Sequence, residues 1–381
     1  MAATGTAPLS VTLDRPSGAG PIATNVLLTA MLRATEHVSD LIFSPGRPPQ
    51  VEVHGQLLSV QAPGLNLLTA DDTRRIAADL IGNNKQAITI LREQGSCDVS
   101  YGLPGVARFR VNAFIQRGSC AVIMRVIPTM IPTFASLGLP DQLQEISTLR
   151  DGIVLVTGAR GSGKSSTLAT LLDDINQKQT CHIITIEDPI EFLHNHKRAT
   201  IHQRELHSDT PSVAMAMRAA LRQAPRVILV GEMRDRDTME MVLEAAETGH
   251  LVLSSLNTVD AAKTVERIVG AYTPAEHVSV RARLAKTLRY VISQRLIPRA
   301  NGVGRVAVVE ILKSGPRTHD CIEQQSSNGH SLLEITKDSA GDGMQHFDGE
   351  IEKLVRSGVV NLDAALDYAT NPGQLRELLN D

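Results

Sequence analysis

Residues 158 to 165 read Gly158-Ala159-Arg160-Gly161-Ser162-Gly163-Lys164-Ser165, with Ser166 next. Glycines at 158, 161 and 163 remove the Cβ atoms that would keep the backbone from curling around an anion. A lysine and a hydroxyl follow at once. This spacing suits a loop whose N–H groups cradle phosphate oxygens. Lys164 would reach the β- and γ-phosphates, and the Ser165 hydroxyl would ligate Mg²⁺. The motif has meaning only between a strand and a helix. Here GIVLVT precedes it, and Leu168, Leu171, Leu172 and Ile175 follow on one helical face. The N-terminus of that helix adds a dipole favourable to anions. ATP or GTP binding is the reading; a purely structural glycine turn is the alternative.

Cleaving a triphosphate needs carboxylates to hold the metal and orient water. Ile183-Ile184-Thr185-Ile186 runs into Glu187, Asp188 and, after Pro189-Ile190, Glu191. These acids fall at the carboxyl end of an apolar strand, where α/β sheets place ligands. Glu187 is the second candidate metal ligand beside Ser165. Val227-Ile228-Leu229-Val230 ends in Gly231-Glu232, the Walker B pattern, with Glu232 placed to polarise the attacking water. Solvated loop acids or an ordinary strand-end glutamate are the plain alternatives. The order of the two segments after the loop makes each reinforce the other.

These residues need a scaffold. Apolar, β-rich runs at 153–156, 182–186, 227–230 and 251–254 alternate with helical stretches. That pattern argues a parallel sheet with helices on both faces. Val306–Leu312 reads as a last strand, Ser326–Gly343 as a loop, and Phe347–Leu354 and Leu362–Tyr368 as amphipathic helices. Upstream, helical periods near 26–34 and 71–80 accompany short alternating runs, among them Arg108–Phe114 and Ala121–Val126. In Arg108-Phe109-Arg110-Val111 the arginines share one face. The expected division is a disordered tail (1–22), an N-terminal α+β domain (23–127), a Pro-containing linker (128–142), a nucleotide-binding domain (143–312) and a C-terminal helical segment (313–381).

Lys+Arg number 38 against 41 Asp+Glu, and aromatics make up 3% of the 381 residues without a tryptophan. Such a chain has neither the basic surplus nor the stacking side chains of a single-strand nucleic-acid binder. Cys97, Cys120, Cys181 and Cys321 form no C-x-x-C pair, so free thiols in a reducing compartment are expected rather than a zinc ribbon. No apolar run approaches the ~18 residues of a membrane span. The N-terminus lacks a signal-peptide pattern. The expectation is a cytoplasmic protein with no transmembrane segment and no nucleic-acid partner. Met215, Met217, Met233, Met239 and Met241 read as core or subunit packing.

Several segments together are specific. GARGSGKSSTLATLLDDIN, HIITIEDPIEF, VILVGEMRDRDTME, AAETGHLVLSSLNTVDAAKTVERI and VISQRLIPR resemble the secretion-ATPase superfamily, and within it the PilT/PilU type IV pilus retraction motors. SDLIFSPGRPPQVEVHGQL and LPGVARFRVNAFIQRG resemble that family's PAS-like N-terminal domain, and GMQHFDGEIEKLVRSGVVNLDAALDYATNP its C-terminal tail. The resemblance covers about residues 25–375. It implies an α/β RecA-like P-loop NTPase core, Mg²⁺-dependent ATP hydrolysis and a homohexamer, or a mixed ring with a paralogous ATPase. The ring would sit at the inner-membrane base of the pilus machine against a platform protein. Lys164 and Ser165 match Walker A, Glu187, Asp188 and Glu191 the Asp box, Glu232 Walker B, and His250 the first His-box histidine. Arg108, Arg110 and Arg125 match arginines that approach the nucleotide from the PAS-like domain. Asn257 stands where a second His-box histidine is usual, and Arg226 where an Asp usually precedes the Walker B strand. The implied function is powering pilus retraction by pilin disassembly. An accessory, weakly hydrolysing PilU-like subunit and a pilus-assembly or type II secretion ATPase are the alternatives.

Overall fold

A computed structural model describes residues 8–13, 22–61, 67–128, 130–324 and 331–380. The chain divides into two compact units, one up to Thr129 and one from Met130.

The first unit is α+β. Its strands are β1 (Leu9–Ser10), β2 (Val38–Phe43), β3 (Gln50–Val53), β4 (Gln56–Gln61), β5 (Ser96–Leu103), β6 (Ala107–Gln116) and β7 (Ser119–Ile127), and its helices α1 (Thr24–Arg33), α2 (Ala70–Ile81) and α3 (Lys85–Gln94). The sheet order is β1-β4-β3-β2-β7-β6-β5. Alternation puts Phe109, Val111 and Ala113 of β6 into the core, with Leu28, Met31 and Ile76 from the helices packed in the same cluster. β1 lies inside the stretch expected to be a disordered tail: Leu9 and Ser10 pair with Val60 and Gln61. Residues 1–7 and 14–21 of that tail lie outside the described residues. α3 was not expected. Its ends are nevertheless written in the sequence: the Asn84 side chain accepts from the Ala87 N–H, and Gly95 closes the helix at φ 79°.

The second unit carries α4 (Phe134–Leu137), β8 (Gly152–Thr157), α5 (Lys164–Lys178), β9 (His182–Glu187), β10 (Thr200–Glu205), α6 (Val213–Ala220), β11 (Val227–Val230), α7 (Arg236–Glu247), β12 (Leu251–Leu256), α8 (Ala261–Val269) and α9 (His277–Thr287). Then come β13 (Leu288–Pro298), β14 (Arg305–Lys313), α10 (Pro316–Gln324), α11 (Leu332–Asp338), α12 (Phe347–Arg356), α13 (Leu362–Tyr368) and α14 (Pro372–Asn380). The sheet order is β10-β9-β11-β12-β8-β13-β14. All neighbours are parallel except the β13–β14 hairpin at one edge. Val154, Val156, Leu229 and Leu253 pack beneath Leu168, Leu171, Leu172 and Ile175 of α5. Ile153, Leu155, Val230 and Val252 face α6 to α9 on the other side. Burial of this kind contributes roughly 25 cal/mol per Å² of apolar surface, which makes the two-sided sheet the main source of stability.

Several expectations change here. β10 and β13 were not anticipated as strands. The stretch read as a loop contains α11, whose Ser331 and Glu334 form a reciprocal capping box; Ser326 to His330 lie outside the described residues. α10 and α11 contribute Cys321, Ile322, Leu332 and Ile335 to the ATPase core, so only α12 to α14 form a separate layer, around Phe347, Ile351, Val360 and Leu375. Phe134 and Leu139 of the expected linker are buried with α5. Met217, Met233 and Met239 are core residues, whereas Met215 is exposed. None of the four cysteines is in a disulfide, and all but Cys181 are buried. Among the described residues, no helix is long and apolar enough to cross a membrane.

Glu310 of β14 is buried beside the start of α8. Its Oε1 accepts from the Ala261 N–H at 2.8 Å and the Ser293 hydroxyl at 3.1 Å. Burial, with the Asp260 charge assisting, pushes its carboxyl up to about 7. The folded state therefore binds this proton more tightly than the unfolded state. Stability falls as pH rises from about 4.5 towards 7, where the penalty is complete, on the order of 3 kcal/mol. Glu310→Gln keeps an acceptor for Ala261 without a charge. Its melting temperature should match or exceed wild type at pH 8, and its advantage should shrink as pH falls below 7. Parallel melting curves from pH 5 to 8 would contradict this.

Candidate nucleotide-binding site

The phosphate loop leaves β8 at the carboxyl edge of the sheet and delivers the chain to α5. Gly158 sits at φ 145°, and a Cβ there would lie 2.4 Å from the Gln294 carbonyl oxygen and 2.5 Å from Ser162 Oγ. At Gly163, φ is 90° and a Cβ would lie 2.8 Å from Gln294 Nε2. The loop is thus pressed against β13 at both ends, and no larger residue fits either position.

Lys164 Nζ donates to the carbonyls of Gly158 at 2.9 Å and Ala159 at 3.0 Å, folded back over its own loop. Burial lowers its pKa, the Arg160 cation adds to that, and the Glu232 carboxylate opposes it. Such an ammonium would be better matched by an anion than by carbonyls. Ser162 Oγ is buried within the loop without a hydrogen-bond partner, an oddity that a ligand would explain. Ala159, Arg160 and Ser165 are exposed, and Ser166 is half-buried. The first-turn N–H groups of α5 have no carbonyl of their own helix to bond. A cationic, glycine-lined cradle with an exposed hydroxyl beside it fits a nucleotide phosphate chain and its Mg²⁺.

Glu232 follows β11, at the same edge. Asn257, just past β12, donates to one of its oxygens, and Arg234 Nε donates to the other at 2.8 Å. Arg234 also reaches Asp188 at 3.1 Å. The two expected acidic segments are therefore joined by an arginine that sequence reasoning did not single out. The signal was faint: Asp235 caps α7 by accepting from the Thr238 N–H, and that turn brings residue 234 back towards 232. The paired acids raise the guanidinium pKa further, Glu232 most strongly.

Glu187 behaves differently. Its Oε1 accepts from the Thr185 hydroxyl at 2.6 Å and Gln203 Nε2 at 3.1 Å, and its Oε2 from the Glu191 N–H at 3.5 Å. Burial raises its pKa. Its hydrogen bonds organise the 187–194 loop together with Gln203. Asp188 is the acid of this segment that the structure links to Glu232. Glu191 is exposed and contributes its backbone.

His250 is not brought to the loop. It precedes β12 at the opposite edge of the sheet, Nδ1 lying 2.9 Å from the Ala245 carbonyl and 3.2 Å from Thr248 Oγ1. From His250 to Asn257 the chain is extended, which at ~3.3 Å per residue separates them by roughly 20 Å. Within one chain, then, Asn257 is the His-box position that meets Walker B. Arg110 and Arg125 are direct cross-strand partners on β6 and β7, both exposed, and Arg125 Nε donates to Asp40 at 3.0 Å. Arg108 is on the same strand, two residues from Arg110. Among the described residues, no cluster of His, Cys, Asp and Glu side chains could by itself hold a metal.

A mostly parallel sheet, a glycine-rich loop at its carboxyl edge and an apolar strand ending in a polarised glutamate define a P-loop ATPase with a RecA-like core. Residues 103–366 match the family described as Type II/IV secretion system protein, and the chain belongs to that family. It is 42% identical to a twitching motility protein of Neisseria gonorrhoeae, with 85% of this chain and 84% of that protein covered. It is 40% identical to the type IV pilus retractation ATPase PilT of Pseudomonas aeruginosa, covering 89% and 96%. Its fold matches the crystal structure of the pilus retraction motor PilT with bound ADP at a TM-score of 0.80, with 37% identity, covering 93% of this chain and 98% of that one.

Proposed function

We propose that this chain is an Mg²⁺-dependent ATPase that powers retraction of type IV pili, working as a ring hexamer at the base of the pilus machine. The observation that carries the chemistry is Glu232, held from two sides beyond a strand end and near enough to Lys164 to act on its charge. The observation that supports the biological role is identity along nearly the whole chain to proteins named for retraction and twitching.

Loop 158–165 would bind the phosphates through backbone N–H groups, and Lys164 would swing from its two carbonyls onto the β- and γ-phosphate oxygens. Mg²⁺ supplies charge neutralisation on those oxygens when bound, and Ser165 is the residue that would hold it. Glu232 would accept a hydrogen bond from the attacking water. As the water oxygen bonds to the γ-phosphorus, the bond to the β–γ bridging oxygen breaks, and the water proton passes to the carboxylate or the phosphate. Asn257 and Arg234 fix the orientation of Glu232. Work follows only if ATP and ADP stabilise different arrangements of the subunit.

The role is tested by deleting the gene and complementing with wild type or Glu232→Gln. The deletion strain should keep or accumulate surface pili and lose twitching, with wild type alone restoring movement. Loss of surface pili on deletion would assign the chain to filament assembly instead.

A further inference from the structure

The far half of the β13–β14 hairpin has different neighbours on its two faces. Gln294 and Arg295 are consecutive in β13, so their side chains point to opposite sides of the sheet. Gln294 is 3% exposed, and its Oε1 accepts from the hydroxyl of Thr167 in α5 at 2.7 Å. The close approaches at Gly158 and Gly163 both involve this same residue, one through its carbonyl and one through its amide nitrogen. One residue thus lines both ends of the phosphate loop, its backbone carbonyl beside Gly158 and its side chain beside Gly163 and on Thr167 of the helix that follows. It cannot shift without moving them.

On the other face, the Arg295 guanidinium lies 3.7 Å over the Phe347 ring of α12. It donates to the Tyr368 carbonyl, and to Thr370 Oγ1 at 3.3 Å. The backbone N–H groups of Thr370 and Asn371 donate in turn to the buried carboxylate of Asp348, at 2.6 and 2.8 Å. Arg295, the start of α12 and the turn between α13 and α14 therefore form one polar knot. It is closed by apolar packing of Phe347, Ile351 and Leu375 against Ile297 and Val308. Nothing in the hydrolytic chemistry requires this knot, yet it is one residue away from the loop's strut.

We propose that Gln294 is a positioning residue for the phosphate loop, and that Arg295 couples the docking of α12 to α14 to nucleotide affinity. The inference rests on the nucleotide-binding reading above. A coupling of this kind is reciprocal: if docked helices favour nucleotide, nucleotide must favour docked helices by the same factor.

The test uses the full chain with ADP and Mg²⁺, measuring the dissociation constant by calorimetry and hydrogen–deuterium exchange over residues 347–380. In wild type, ADP should slow exchange in α12 to α14. Arg295→Met keeps the stem but removes the guanidinium. It should weaken ADP binding about fivefold or more and abolish the ADP-induced protection. Gln294→Met should weaken ADP comparably, and the double variant should be no weaker than the weaker-binding single one. If Arg295→Met fails to fold, Arg295→Lys, which keeps charge but loses the planar fork, should shift both readouts in the same direction. Unchanged ADP affinity in the Arg295 variants, no ADP effect on exchange in wild type, or multiplicative effects in the double variant would each overturn the proposal. Wild type binding ADP with unaltered variants sinks this inference alone; wild type failing to bind ADP sinks the nucleotide reading with it.

Discussion

Lys164→Ala is expected to reduce ATP hydrolysis by the purified chain roughly 100-fold or more, the scale seen when a preorganised charge-stabilising group is removed. Lys164 is the side chain proposed to meet the phosphates, and its ammonium donates to the Gly158 and Ala159 carbonyls. The same substitution should leave the apo protein as stable as before or slightly more so. Burial lowers the pKa of this lysine, so the folded state holds its proton less tightly than the unfolded chain does. Phosphate release, nucleotide titration and a melting curve separate the two effects. Lost activity with a markedly lower melting temperature would point to a structural lysine, and normal turnover would remove Lys164 from the site.

Glu232→Gln is expected to separate binding from turnover. The amide oxygen can still accept from Asn257, but the charge that holds Arg234, and that is proposed to polarise water, is gone. Arg234 would fall back on Asp188 alone. ATP should bind with little change, while kcat falls by about 10²–10⁴, the usual contribution of a positioned general base. A measured KM change with kcat preserved would mean that Glu232 binds rather than activates. Full activity would hand the role to Asp188 or another acid.

The sequence exposed the parts of this site that are contiguous. The phosphate loop is a single run of eight residues, and its strand and helix flank it directly. The strands β8, β9, β11 and β12 were legible because central parallel strands are buried on both faces and read as unbroken apolar runs. β10 was not, because it is an edge strand written Thr-Ile-His-Gln-Arg-Glu, with His202 exposed and Glu205 buried against the pattern. Contacts made by the fold alone were also hidden. Gln294 lies 127 residues from its partner Thr167, and Arg234 lies 46 from Asp188. No local pattern marks either pair. His250 shows the converse: a motif places it beside the site, but the length of β12 carries it to the other edge of the sheet.

The structure of the full chain with a non-hydrolysable ATP analogue and Mg²⁺ tests the central claim most directly. The account predicts β- and γ-phosphates inside residues 158–165, with Lys164 Nζ moved off the two carbonyls and onto phosphate oxygens. Lys164 still resting on Gly158 and Ala159 at saturating analogue, with the phosphates bound elsewhere, would contradict it.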